Sequence, residues 1–241
     1  MTTWRRVPAI LLPGVLAGML ATCESGIPTA GVPSAPVWLV VDSPGSLNES
    51  EVRIRERLQG AGADVRLAND DGFTPPSDCG LILLSKTVHS ENVGSHLKSA
   101  RCGVVFWEDN QQMLRMMATI DNDGGQGTAW HATRDEVIVD PGAPAALRAG
   151  LSGEVEFYVE DDEITYAPDG DLPPSAIVVA VLGEPTVGRT AIYAFEAGAT
   201  LADGTPAAGR RVYFGLYDDT FRLLTPHGLA LFDAAVAWAS R

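Results

Sequence analysis

The sequence has few basic residues, and its one N-terminal apolar stretch is short. Lys and Arg number 17 against 31 Asp and Glu in 241 residues, so the formal net charge is −14. Such an acidic chain argues against binding to nucleic acid, whose phosphates require a basic face. It also argues against charge-driven attachment to anionic lipid. The apolar stretch 7–21 contains two prolines and is shorter than the ~20 residues of a membrane-spanning helix.

The start of the chain has the pattern of a cleavable signal peptide. Arg5 and Arg6 precede the apolar stretch, which ends in the letters LATC at 20–23. That ending resembles the lipobox of bacterial lipoproteins, which is a leucine, two small residues and the cysteine that receives the lipid. The resemblance implies a signal peptide over 1–22 and a mature chain that begins at a lipidated Cys23. Because the residue before the cysteine is a threonine, an ordinary secretory signal and an uncleaved anchor are the alternatives.

The rest of the chain divides into a short tether and one domain. Residues 24–36 are rich in Gly, Pro, Ser and Thr, which is typical of a flexible linker. Residues 37–241 are long enough for a single domain with its own core. Loss of the two arginines of the signal would change the formal net charge from −14 to −16. The predicted partner is therefore a membrane, held through lipid on Cys23 and not through charge, at the extracytoplasmic side of a bacterial envelope.

The chain has only two cysteines besides Cys23. Cys79 and Cys102 are each followed by a glycine and an apolar run. If both lie at the starts of neighbouring parallel strands, their Cα atoms can approach within the 7 Å or so that a disulfide needs. An oxidising compartment would permit that bond, and two buried free thiols are the alternative. Neither cysteine has the spacing of a zinc site with another ligand.

The first half of the chain predicts a parallel sheet with helices on both faces. Short apolar strands that alternate with helical patterns are typical of that arrangement. A helix is predicted after a capping box of Ser46 and Glu49, ending at Gly62, and a weaker helix is predicted over 93–100. The predicted strands are 37–41, 64–67, 81–84 and 104–107.

The second half predicts strands that are added in antiparallel fashion. Glycine, proline and acidic turns separate these strands, with no helix long enough for a crossover. A final helix is predicted with Thr225 as N-cap, Pro226 as its first residue and an apolar stripe of Leu229, Phe232 and Val236. The predicted strands are 137–139, 155–159, 177–182, 191–195 and 212–216. The predicted fold class is α/β, and the arrangement resembles a three-layer flavodoxin-like parallel sheet with antiparallel strands added in the C-terminal half.

Two late segments carry a family resemblance. They read YAFEAG at 193–198 and RRVYFG at 210–215, and a final helix ending in VAWA at 236–239 follows them. With the first strand and its turn, they resemble the class I glutamine amidotransferase-like group and, within it, the ThuA-like branch. Members of that group that act on glutamine carry a Gly-x-Cys-x-Gly frame after a central strand and a late His–Glu pair. This chain has Ser85-Lys86 and Glu108-Asp109 at the equivalent points, so the resemblance implies the fold without amidotransferase activity.

Ligands of open parallel sheets bind beyond the carboxyl ends of the strands. That rule collects seven candidate residues, which are Asp42, Ser43, Ser85, His89, Glu108, Asp109 and Glu196. A nucleophilic dyad of Ser85 and His89 is conceivable, but a spacing of four in a loop is common by chance. The turn 43–46 is better explained as a turn and cap than as a phosphate cradle.

Two sets of side chains could bind a metal. One set is Asp42, Glu108 and Asp109, and the other is Asp121, Asp123 and His131 in a glycine-rich stretch. Oxygen-rich loops suit calcium or magnesium, but the glycine-rich stretch lacks the full spacing of a calcium loop. Solvated turns are therefore the prediction, with no metal and no cofactor.

Three functions remain open on the sequence. The leading hypothesis is a membrane-tethered, non-catalytic domain that binds an unknown ligand or envelope protein at the strand-end cleft. The alternative is an envelope hydrolase that acts on sugar or peptide material through Glu108, Asp109 and Glu196 with a histidine. A purely structural envelope component is the third. Convergence of two carboxylates and a histidine within hydrogen-bond distance in one pocket would favour the enzyme, and side chains that point apart would exclude it.

Overall fold

A computed structural model describes residues 34–110, 117–120, 130–168, 170–183 and 188–241. The predicted signal peptide, Cys23 and most of the predicted tether lie outside these residues, as do Asp121 and Asp123. In the part of the chain that is described, no helix is both long enough and apolar enough to cross a membrane.

Twelve strands and three α-helices lie wholly within the described residues. The strands are β1 (Val37–Val41), β2 (Val65–Asn69), β3 (Leu81–Leu84), β4 (Gly103–Phe106), β5 (His131–Arg134), β6 (Glu136–Val139), β7 (Gly153–Glu156), β8 (Asp162–Thr165), β9 (Ala167–Pro168), β10 (Ile177–Val181), β11 (Arg189–Phe195) and β12 (Arg211–Phe214). The helices are α1 (Glu49–Gly60), α2 (Ser90–Val93) and α3 (Pro226–Ala239), and a 3₁₀ turn spans Thr220–Leu223.

One mixed sheet organises the molecule. Its parallel half has the order β2-β1-β3-β4-β12, and its antiparallel half continues as β11-β10-β6-β7, with β9 paired to β11. Strands β5 and β8 form a separate two-stranded sheet. The order 2-1-3-4 at the start is that of flavodoxin-like folds. The predicted fold class, a flavodoxin-like α/β sheet extended by antiparallel strands, is confirmed.

Both faces of the sheet are covered, but by different kinds of structure. On one face α1 and α3 pack against the sheet, where Ile54 and Phe232 lie in one core with Leu83. On the other face Ile82 lies in a core with residues from α2 and from the irregular segments around it. The helix predicted over 93–100 is wrong. The one-turn helix α2 ends at Val93. Its C-cap is Gly94, whose positive φ of 51° favours glycine, and turns follow it.

A buried arginine takes the place of that missing helix. The side chain of Arg211 is fully buried, and its guanidinium donates hydrogen bonds to five main-chain carbonyls. Four acceptors lie in or near the predicted helix, at Leu97, Lys98, Ala100 and Cys102, and the fifth is Arg210. Burial lowers the pKa of Arg211 to about 10, so the group stays charged at neutral pH. Carbonyls that a helix would have satisfied internally are thus satisfied by one side chain from β12.

Helix α1 begins two residues later than the sequence pattern suggested. Its N-cap is Asn48, whose Oδ1 accepts from the Glu51 N–H at 2.8 Å, while Glu51 Oε2 accepts from the Asn48 N–H at 3.0 Å. The predicted capping box of Ser46 and Glu49 is therefore wrong. Ser46 lies in the preceding turn, where its N–H donates to the Ser43 carbonyl. At the last helix the prediction is confirmed, since Thr225 Oγ1 caps α3.

Cys79 and Cys102 are joined by a disulfide with a Cα–Cα distance of 5.9 Å. They lie just before β3 and β4, at the edge of the sheet where the parallel strands begin. Of the two alternatives that the sequence left open, the structure has the cross-link. Because ligands of such sheets bind at the opposite edge, neither sulfur is placed to serve as a nucleophile there.

Candidate functional site

The carboxyl edge of the parallel strands gathers most of the predicted polar residues. Asp42 follows β1, Ser85 follows β3, and Glu108 and Asp109 lie just beyond β4. These strands are neighbours in the sheet, so their ends meet at one edge. The side chains there form two groups that differ in burial and in partners.

The first group is a buried acid–lysine cluster of Lys86, Glu108 and Asp109. Lys86 Nζ lies 2.6 Å from Asp109 Oδ1 and 3.4 Å from Glu108 Oε2. The two acids are 2% and 1% exposed, and the lysine is 15% exposed. Glu108 Oε1 also accepts from Ser90 Oγ at 2.9 Å. The predicted pair of acids therefore does come together, but its oxygens are turned into the protein.

Burial controls the electrostatics of this cluster. Desolvation raises the pKa of Glu108 to about 7, and the nearby charge of Asp109 acts in the same direction. Lys86 opposes that shift with its positive charge. Burial alone would lower the pKa of Lys86, but the two carboxylates more than offset it and the pKa is raised. The cluster thus holds a charged lysine and an acid that changes protonation near neutral pH.

Ser85 follows β3, where a nucleophile would lie, but it is buried. Ser85 is 1% exposed, and its Oγ donates to Glu51 Oε1 at 2.7 Å. Thr87 Oγ1 donates to the same oxygen at 2.6 Å. The conceivable dyad of Ser85 and His89 is not formed, because the serine faces Glu51 and the histidine faces Asp70.

The second group is an acid–histidine group of Asp42, Asp70 and His89. His89 Nδ1 lies 3.2 Å from Asp70 Oδ2 and 3.5 Å from Asp42 Oδ1. His89 and Asp42 are 56% and 45% exposed, whereas Asp70 is 1% exposed. The hydrogen bond to Asp70 is the main cause that raises the pKa of His89. Ser43, which the sequence also predicted, lies beside this group and donates a hydrogen bond from its Oγ to Asp42 Oδ2.

Asp70 is a functional candidate that the sequence pattern did not identify. The second strand was predicted to end at 67, but β2 runs to Asn69, and Asp70 is the residue directly after it. Ligand-binding residues are expected just beyond the carboxyl ends of strands. A prediction that extended β2 to Asn69 would therefore have identified Asp70.

Glu196 lies elsewhere, and its place among the cleft residues is a correction. It follows β11, which runs antiparallel to β12, so its end lies where the parallel strands begin. There Glu196 Oε2 accepts from Arg210 Nε at 2.8 Å. A hydrolytic set of Glu108, Asp109 and Glu196 therefore does not assemble.

His131 lies on the separate two-stranded sheet, and its side chain contacts Glu163 and Tyr217. Its Nδ1 lies 2.7 Å from Glu163 Oε1 on β8, and its ring stacks on Tyr217 with centroids 5.4 Å apart. Lys86 Nζ lies 5.8 Å from the same tyrosine ring. His131 and the acid–lysine cluster therefore both contact Tyr217.

Comparisons with known proteins give a fold likeness and no family assignment. No protein-family model matches the chain, and no curated protein matches its sequence. Among solved structures, it is similar to a glutamine amidotransferase from Methylobacillus flagellatus, at 13% identity over 86% of this chain and 93% of that chain. The TM-score is 0.42, so the likeness carries no argument about activity. The fold class stands on the strand order of this chain.

Proposed function

We propose that this chain is a lipid-anchored, extracytoplasmic domain without catalysis, which binds a ligand or an envelope protein at the carboxyl edge of its parallel strands. One observation carries the proposal. The serine and the two acids that follow β3 and β4 are engaged internally, because Ser85 is bonded to Glu51 and both buried acids are held by Lys86.

Catalysis requires groups that reach a substrate. A serine nucleophile needs a hydroxyl that a substrate can reach, and Ser85 is 1% exposed with its hydroxyl turned to Glu51. A general acid must reach the proton that it donates, and Glu108 is 2% exposed. These features argue against turnover by Ser85 or Glu108, and the two carboxylates and histidine that do converge at this edge are Asp42, Asp70 and His89.

Accessible polar groups remain at the same edge. Asp42 and His89 are about half exposed, and Ser43 stands beside them. They come from different loops, which lie after β1 and after β3. A small, well-placed polar set on rigid strand ends is typical of ligand sites. It supports binding at the acid–histidine group.

The disulfide supports the proposed location. Bonds of this kind form and persist in oxidising compartments and are rare in the cytosol. Cys79 and Cys102 are bonded in the structure, in a chain whose first 22 residues have the pattern of a lipoprotein signal. The acidic surface leaves the lipid on Cys23 as the means of attachment.

The envelope hydrolase remains the second candidate on the strength of Glu108. A carboxyl group whose pKa is raised to about 7 beside a second acid is typical of a general acid in glycoside hydrolysis. Hydrolysis would therefore depend on this residue more than on any other acid of the edge.

An assay on envelope material separates the two functions. Soluble peptidoglycan fragments and chitooligosaccharides are incubated with the wild type, with Glu108→Gln and with Glu196→Gln, and products are separated by liquid chromatography. We expect no product above the buffer blank from any of the three proteins. A product that the wild type and Glu196→Gln release, and that a folded Glu108→Gln does not, would establish the hydrolase and contradict the proposal.

A further inference from the structure

We infer that Asp42, Asp70 and His89 form a binding site for one divalent transition-metal ion of the Zn²⁺ type. The inference rests on the proposed function in taking the carboxyl edge as the binding edge, and it names the chemical class of ligand that the proposed function leaves open. It differs from the sequence-based prediction of no metal, because the candidate residues of that prediction did not include Asp70.

The donor atoms have the spacing of a metal site. One donor atom from each residue lies within 4.8 Å of the others. Two ligands at about 2.1 Å from a tetrahedral ion are roughly 3.4 Å apart. The distances from His89 Nδ1 to Asp70 Oδ2 and to Asp42 Oδ1 are 3.2 Å and 3.5 Å. Small side-chain adjustments therefore suffice to seat an ion among the three.

Asp70 provides an independent indication of a missing ligand. Its Oδ2 accepts from the His89 N–H at 2.6 Å, so the carboxylate faces the histidine. Its Oδ1 is buried and has no hydrogen-bond partner among the residues that the structure describes. A buried carboxylate oxygen without a partner is costly, and a cation bound by the Asp70 carboxylate would offset that cost.

The charge of the group also calls for a cation. Within the described ranges, the ion pairs of Asp42 and Asp70 are made with His89 alone. The nearby Lys86 is engaged by Glu108 and Asp109. Two carboxylates thus share one histidine, and a divalent ion balances them.

The surrounding contacts hold the ligands in place. Asn69 donates to the main-chain carbonyl of Asp42, and Thr87 Oγ1 accepts from the Asp42 N–H at 3.3 Å. With the bond from the His89 N–H to Asp70, these contacts tie together the three loops that carry the ligands. Such support is what a metal site needs from its second layer of residues.

The ligand set selects the class of ion. Calcium and magnesium take oxygen ligands, often six or more for calcium. Two carboxylates with one imidazole suit Zn²⁺ and related first-row ions, and three protein ligands leave one position for water or a bound molecule. The half-exposed Asp42 and His89 give that open position access to solvent.

Titration calorimetry of the metal-stripped, untagged full chain in detergent micelles tests the inference. ZnCl₂ is titrated into the wild type, into His89→Gln and Asp70→Asn, and into the matched control His227→Gln, whose histidine is exposed on α3. We expect one saturable Zn²⁺ site in the wild type and in the control, with affinities equal within about twofold. Each ligand variant is expected to bind at least tenfold more weakly. A parallel titration with MgCl₂ is expected to show much weaker binding.

Three outcomes would overturn the inference. They are absence of a saturable Zn²⁺ site in the wild type, unchanged affinity in folded His89→Gln and Asp70→Asn, and an equal loss in His227→Gln. Thermal unfolding of each protein without metal establishes that it is folded. The glycan assay uses neither variant, so a failure of the metal site leaves the test of the proposed function unaffected.

Discussion

Replacement of both Cys79 and Cys102 by serine is expected to lower the free energy of unfolding by about 3 kcal/mol. The two residues are 23 positions apart, and a cross-link over a loop of that length removes chain entropy of this size from the unfolded state. Urea denaturation followed by circular dichroism gives the free energy of unfolding of each protein.

The wild type supplies its own control for the disulfide. Denaturation in the presence of a thiol reductant is expected to reproduce the loss seen in the double serine variant. Cys23→Ser, which leaves the cross-link intact, is expected to unfold at the same urea concentration as the wild type. A loss below 1 kcal/mol in both the variant and the reduced protein would contradict the role given to this bond.

Glu108→Gln is expected to change how stability depends on pH. The pKa of Glu108 is raised from an ordinary 4.5 to about 7 by burial, so between these values the folded protein keeps a proton that the unfolded chain has lost. The neutral form of Glu108 therefore stabilises the fold fully below pH 4.5, and this contribution falls as the pH rises to 7. Glutamine stays neutral throughout. Between pH 5 and pH 8 the variant is expected to gain about 2–3 kcal/mol relative to the wild type.

The comparison isolates one carboxyl group among several charges. Lys86 and Asp109 face Glu108, and the Tyr213 hydroxyl lies within its electrostatic influence. All three are present in both proteins, so their own titrations largely cancel in the difference. Glu196→Gln, which removes an acid paired with Arg210 at the opposite edge, is expected to follow the wild-type profile. Parallel profiles for Glu108→Gln and the wild type would show that Glu108 is charged in the folded state throughout this range.

Local patterns predicted the parallel strands β1, β3 and β4 well because those strands are buried on both faces. Leu81–Leu84 is fully buried and reads as a continuous apolar run, and its predicted bounds are those observed. The late strand β12, by contrast, inserts between β4 and β11. That pairing joins segments about a hundred residues apart, and no local pattern specifies it.

The errors have physical causes that the sequence did not show. Ser46 with Glu49 and Asn48 with Glu51 are both acceptable capping boxes, and tertiary contacts decide between them. In the helix that begins after Asn48, Glu51 accepts a hydrogen bond from Ser85 Oγ, and this is one such tertiary contact.

The sequence predicted only part of the candidate site, because local patterns do not show the direction of a strand or its polar end. Strand direction is invisible in a short apolar run, so Glu196 was assigned to the wrong edge. Asp70 was missed because the polar end of β2 does not read as strand. The residues that follow fully buried strands, Ser85 and Glu108, were found at the predicted edge.

Intact-mass analysis of the protein extracted from bacterial membranes tests the central proposal, a lipid-anchored extracytoplasmic domain, most directly. We expect a chain that begins at Cys23, carries diacylglyceryl lipid on that residue, and is two hydrogens lighter than its reduced form because of the Cys79–Cys102 bond. Cys23→Ser is expected to lose the lipid mass while it keeps the disulfide. An unprocessed chain that begins at Met1, or a mature chain without lipid in which Cys79 and Cys102 react with iodoacetamide, would contradict the proposal.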